Sequence, residues 1–175
     1  SGLTVGYLSI DEMVLEIKVI GGTDEEKSQG LIQAAQALAL KNSHQRFTTE
    51  HMLAAMMDDN ERMVDKLIRS CGGDADLVKK STQEAMKAIP RVEGSGAGAL
   101  HATSDIVKLF ASADELAKKS GDEYVTVERL LQALALAGDA AAGKILKEEG
   151  VTSAQLNDAV NDMRKGRTAD SPQAE

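Results

Sequence analysis

Aromatic side chains are nearly missing from this sequence. There is no Trp, and Tyr7, Phe47, Phe110 and Tyr124 make up 2% of the 175 residues. Any core must therefore be filled by Leu, Ile, Val, Met and Ala, residues that favour helices, so an all-α fold is the leading expectation. Positive charge is also in short supply, with Lys+Arg 20 against Asp+Glu 28 and a net charge of −8. Nucleic-acid binding needs clustered Lys and Arg for phosphates and aromatic faces for single strands, and this composition argues against both. The lone cysteine, Cys71, has no partner for an internal disulfide and no second thiol for a metal or redox pair. Beside Gly72-Gly73 it reads as a small buried thiol at a helix end. No apolar run approaches the roughly 18 residues of a membrane span, so no membrane partner is expected. Asp11, Glu12 and Glu16 against Lys18 give the early residues the wrong charge for a presequence, and the expected compartment is the cytoplasm.

The length suits one ordinary domain or two small ones. Residues 1–24 stand apart from the rest: Ser1-Gly2, with no initiator Met, reads as a cloning remnant, and Val14–Ile20 partly alternates apolar and charged positions like a short strand ended by Gly21-Gly22. From about Lys27 the period becomes helical. Leu31, Ile32, Ala35, Leu38 and Ala39 form one stripe, closed by Asn42-Ser43. Thr48 reads as the N-cap of a second helix carrying Met52, Leu53, Met56 and Met57, with Glu50 in its first turn, where the helix dipole favours an anion. A third helix uses Met63, Val64, Leu67 and Ile68 and stops at Gly72-Gly73. A fourth runs to Ile89-Pro90.

The same order then recurs. A shift of about 78 residues aligns Leu38 with Leu116, Ala39 with Ala117, Thr48 with Thr126, Glu50 with Glu128, Leu53 with Leu131, Lys66 with Lys144 and Gly72 with Gly150. The expected architecture is two tandem four-helix repeats, each too small to be comfortable alone, packed about a pseudo-twofold axis into one globule. The corresponding boundaries are an N-terminal extension over 1–24, a first repeat over 25–89, a Gly-rich crossover over 90–102, a second repeat over 103–165 and the start of a linker over 166–175.

Little in the chain suggests catalysis. Gly138-Asp139-Ala140-Ala141-Ala142-Gly143-Lys144 has the spacing of a phosphate-binding loop, but Ile145 stands where that loop needs a Mg²⁺-binding hydroxyl, and a helix rather than a strand precedes it. Gly94-Ser95-Gly96-Ala97-Gly98 follows Pro90, not a strand, and lacks the third glycine of a dinucleotide loop. His44, His51 and His101 have no helical metal-ligand spacing, and a structural or surface role suits them. No nucleophile elbow is present. Met52, Met56, Met57 and Met63 read either as flexible core filler or as an adaptable apolar surface. Glu50 and Glu128 occupy equivalent first turns, where they serve either the helix dipole or a binding function.

The stretches Glu26–Leu40, Phe47-Thr48-Thr49-Glu50-His51-Met52-Leu53 and Gly121-Asp122-Glu123-Tyr124-Val125-Thr126-Val127-Glu128 resemble the Clp amino-terminal repeat family. Ile89-Pro90-Arg91-Val92-Glu93-Gly94-Ser95-Gly96 is similar to the crossover of its ClpB branch, and Arg164–Asp170 to the linker into that branch's first AAA+ module. The resemblance covers about residues 25–175. It implies a non-catalytic N-domain of an ATP-driven disaggregase that works with the DnaK system, engaging unfolded or aggregated polypeptides and passing them on for threading. No cofactor is implied for this fragment; ATP and Mg²⁺ belong to the ATPase modules of a full-length homohexamer, while the isolated domain is expected to be monomeric. The alternative is an adaptor-docking N-domain, as in the ClpA and ClpC branches. Carried over by position, the implied substrate-handling residues are Asp122 and Glu128, with Glu50 as the first-copy glutamate and Phe110 and Leu116 in an apolar groove. The first copy keeps Thr48-x-Glu50-His51, whereas the second has Thr126-x-Glu128-Arg129. An arginine beside Glu128 is expected to repel a guanidinium such as the phosphoarginine bound in the ClpC branch.

Overall fold

The structure, a computed structural model, describes residues 23–58, 62–92 and 100–169, with 23–26 and 166–169 described as backbone only. The strand-like stretch Val14–Ile20 and the crossover glycines Gly94, Gly96 and Gly98 lie outside the described residues. The first four helices are α1 (Thr23–Lys41), α2 (Thr49–Met57), α3 (Met63–Ser70) and α4 (Ala75–Lys87). The second four are α5 (Ser104–Lys119), α6 (Val127–Leu136), α7 (Ala141–Glu148) and α8 (Ser153–Ala169). The fold is all-α. Helix α1 begins about a turn earlier than the apolar stripe indicates.

Local stop and start signals repeat at the 78-residue offset. Ser43 (φ 59°) and Gly121 (φ 76°) follow α1 and α5 in the left-handed region, and Gly72 (φ 83°) and Gly150 (φ 74°) do so after α3 and α7. Such residues let the chain leave a helix while its last carbonyls still find donors: Gly73 N–H donates to the Ile68 carbonyl (3.0 Å) and Val151 N–H to that of Leu146 (2.9 Å). The packing follows the repeat too. Helix α1 lies on α2 and α5 on α6; between the halves α1 meets α6 as α5 meets α2, α3 meets α8 as α7 meets α4, and α2 meets α6. At the centre, every residue of α6 from Glu128 to Leu134 is buried, and α2 has no exposed residue.

A two-residue parallel pair, unforeseen in an all-α reading, joins the halves. β1 (Arg46–Phe47) pairs with β2 (His101–Ala102). The segments on both sides of the crossover run beside the α1–α2 connection, and their backbone groups bond there because buried N–H and C=O groups must be paired. Val92 N–H donates to the Ser43 carbonyl (2.7 Å), His101 N–H to that of Gln45 (2.7 Å) and Thr103 N–H to that of Phe47 (3.2 Å).

The Gly138–Lys144 spacing has a packing explanation. Gly143 sits in α7, and a Cβ there would lie 1.8 Å from the Ala137 carbonyl oxygen and 2.9 Å from that of Leu134. Glycine at this position lets α7 start directly against the end of α6, and Lys144 points outward, exposed. Gly143→Ala forces backbone apart and is expected to cost about 2–3 kcal/mol, more than ordinary surface substitutions. Denaturant unfolding would check this, with Gly138→Ala, where a Cβ meets open space, as the control expected to change stability by less than about 1 kcal/mol.

Candidate functional site

Each of the two central helices starts at a threonine in extended conformation, Thr48 for α2 and Thr126 for α6. In the first copy, Thr49 Oγ1 donates to Glu50 Oε1 (3.2 Å) and accepts the Ala142 N–H (3.3 Å), tying the start of α2 to that of α7. His51 Nδ1 accepts the Thr48 N–H at 3.0 Å. The proton of His51 is therefore on Nε2, which lies 2.8 Å from His44 Nδ1 and donates to it. This assignment leaves both rings neutral. Burial, aided by His44, pushes His51 down to about 4. His44 is also lowered, by burial first and then by Arg91, with Glu50 opposing.

The second copy replaces the histidine with a cation. Thr126 Oγ1 accepts the Arg129 N–H (3.3 Å), and the Arg129 guanidinium, with its residue 1% exposed, turns away from the cap. Its Nε donates to Asp122 Oδ2 (3.2 Å), and its Nη1 donates to Gln132 Oε1 (2.7 Å) and Asn157 Oδ1 (3.1 Å). Arg164, from the last turns of α8, reaches the same carboxylate with both terminal nitrogens (2.9 and 3.2 Å). Its Nη2 also lies 3.5 Å from Glu128 Oε2. The Asp122 hydrogen bond leads the interactions that hold this guanidinium charged. Two carboxylates and two guanidiniums thus form one half-buried cluster, the arrangement in which charge-assisted bonds offset desolvation.

The five residues expected to handle substrate are not gathered at one point. Asp122 and Glu128 are brought together, with Arg164 as the bridge. Glu50 belongs to the separate first-copy network. Phe110, 4% exposed, sits on the inward stripe of α5 with Ile106, Leu109 and Ala113, so it supports the surface from beneath and does not line an open groove. Leu116 is half-buried at the edge of the core. The repulsion expected from Arg129 is also corrected: Asp122, Gln132 and Asn157 absorb its charge, and a guanidinium does sit on Glu128, that of Arg164. Arg129 could have been flagged from sequence as a cation inside the leucine-rich run 128–134. Gln132 is the other polar residue inside that run; Asn157 and Arg164 carried no such signal. Among the described residues no group of His, Cys, Asp or Glu could hold a metal ion, and no helix is long and apolar enough to cross a membrane.

Residues 25–149 match the model of the Clp repeat (R) N-terminal domain. The chain belongs to that family. It is 49% identical over 150 residues to the chaperone protein ClpB of Mesorhizobium japonicum and 46% identical to that of Agrobacterium fabrum, covering 86% of this chain in each case. Those matches span 17% of the relatives' length. Among solved Clp N-domains, that of ClpV1 from E. coli EAEC superposes with TM-score 0.65 at 18% identity, covering 85% of each chain. The Hsp104 N-terminal domain from Candida albicans gives 0.64 at 18%, covering 77% of this chain and 86% of that one. At that identity the likeness concerns the fold.

Within this Clp N-domain the two polar networks have distinct measurable consequences. His51 is held neutral in the folded state while the unfolded chain takes up its proton near pH 6.5, so stability is lost as pH falls from about 6.5 towards 4. His51→Gln, which can still reach the cap, should flatten the dependence of Tm on pH between 6.5 and 5. Arg129→Met strands Gln132 and Asn157, yet Asp122 keeps Arg164. The expected loss is therefore about 1–3 kcal/mol, short of the 3–5 kcal/mol for a buried charge left alone, measured by urea unfolding.

Proposed function

We propose that this Clp N-domain is the non-catalytic substrate-binding module of a ClpB-type, ATP-dependent disaggregase. Its role is to engage unfolded or aggregated polypeptides and deliver them to AAA+ modules elsewhere in a longer chain. The observation that carries the reading is the 49% identity to a ClpB over 150 residues. The longer protein is read as a cytoplasmic homohexamer that uses ATP and Mg²⁺ and cooperates with the DnaK system, with this domain monomeric on its own and holding no cofactor. Leu116 offers an apolar edge, and Asp122 and Glu128 the charge that handles the incoming chain. Weak, adaptable contact suits a client with no fixed structure, because energy for extraction comes from the motor.

The test is a titration of isotope-labelled domain with an alkylated, permanently unfolded protein, followed by amide shifts. Shifts at Leu116, Asp122 and Glu128 are expected, together with weakening by at least about threefold in Glu128→Ala, the order of a partly buried charged contact. Shifts only with folded partners, and none with the unfolded chain, would replace this reading with adaptor docking as in ClpA and ClpC.

A further inference from the structure

A cleft of about 810 Å³ opens between α3 and α8. Helix α3 lines it with Met63, Lys66, Leu67, Ser70 and Cys71. Helix α8 lines it with Gln155, Asp158, Ala159, Asp162 and Met163. Both sets have the spacing i, i+3, i+4, i+7, i+8, so each helix turns one complete stripe towards the gap.

The repeat does not require this cleft. The pseudo-equivalent pair, α7 against α4, has Ala141 where Met63 stands and Ala85 where Met163 stands, so both methionines belong to this side only. The rim differs likewise. Asp158 and Asp162 correspond to Lys80 and Glu84, of mixed sign. Both aspartates are exposed, and neither takes part in an ion pair among the described residues.

We propose that this cleft docks an amphipathic helix of a partner protein, about two turns long, with Lys or Arg residues one turn apart along the edge that faces α8. A helix fits better than an extended segment. The walls are helices whose backbone groups are already bonded, so only an occupant that satisfies its own backbone can enter an apolar floor without loss. The stripe from Met63 to Cys71 rises about 12 Å along the helix, which sets the two-turn length. The methionines and Ala159 form an adaptable floor for the partner's apolar stripe, and the two free carboxylates, one turn apart, select its basic edge.

The probe is a 15-residue Leu/Lys amphipathic peptide with lysines spaced i, i+4 on one edge, against its Leu/Glu counterpart, both titrated into the full chain. Binding is read by amide shifts and by slower maleimide labelling of Cys71, the single thiol, which lines the cleft. The lysine peptide is expected to shift Leu67 and Ala159 and protect Cys71. Asp158→Lys with Asp162→Lys should weaken it about tenfold or more and strengthen the glutamate peptide, a reversal that loss of folding would not give. Equal binding of the two peptides, or shifts confined to the Leu116 and Glu128 face, would overturn the proposal. Two other results would also overturn it by naming another occupant. Cys71 protection that rises with protein concentration means a second copy. Protection without peptide that Val14→Asp with Ile17→Asp relieves means the chain's own N-terminal segment.

Discussion

Burial of α2, which has no exposed residue, and of α6 from Glu128 to Leu134 is the constraint from which the rest of this domain follows. Four short helices do not enclose a core of their own, so each copy presents its middle helix to the other, and the pair becomes a shared centre. A helix buried all round has no wet face for its polar residues. Whatever polar groups it carries must be bonded inside the protein or they cost more than the packing returns. The first copy meets this demand with the uncharged Thr48–His51–His44 chain and with Thr49 bonded to the Glu50 carboxylate. The second meets it with charge, the Arg129 guanidinium shared by Asp122, Gln132 and Asn157.

The face proposed to meet clients grows out of that second solution. Asp122 neutralises Arg129 in the interior and, with its remaining valence, holds Arg164 from α8. Arg164 in turn reaches Glu128 at the start of α6. The carboxylates proposed to handle clients are therefore also part of the domain's internal balance of charge, and helices α6 and α8 carry two of the groups they bond, Arg129 and Arg164. The apolar component of that face, Leu116, is modest, being half-buried. Core burial has consumed Phe47 and Phe110, which leaves the half-buried Tyr124 as the one Phe, Tyr or Trp side chain near the surface among the described residues, fewer anchors than tight, specific interfaces use. A surface of this sort suits repeated, brief contacts.

Much of this was legible in the sequence because its signals are local. Threonine caps, glycines after helices and apolar stripes recur at a fixed offset, and each is a property of a few neighbouring residues. What was not legible depends on what covers a helix. The stripe containing Phe110 announces an apolar face but not whether that face is open, and here it is closed. The His44–His51 bond, the Arg129 cage and the β1–β2 pair join residues that only the tertiary fold brings together. Gly143 shows the reverse case: a spacing that imitates a phosphate loop is a glycine demanded by close approach of α7 to α6.

The central claim is that the two copies share one core and cannot unfold separately. Native-state hydrogen exchange of Leu53 in α2 and Leu131 in α6, measured in rising denaturant, tests it most directly. Both amides are expected to exchange only through global unfolding, with the same free energy and the same denaturant dependence as the whole domain. Exchange of one helix at a markedly lower free energy than the other, with half the denaturant dependence, would mean independent repeats and would contradict it.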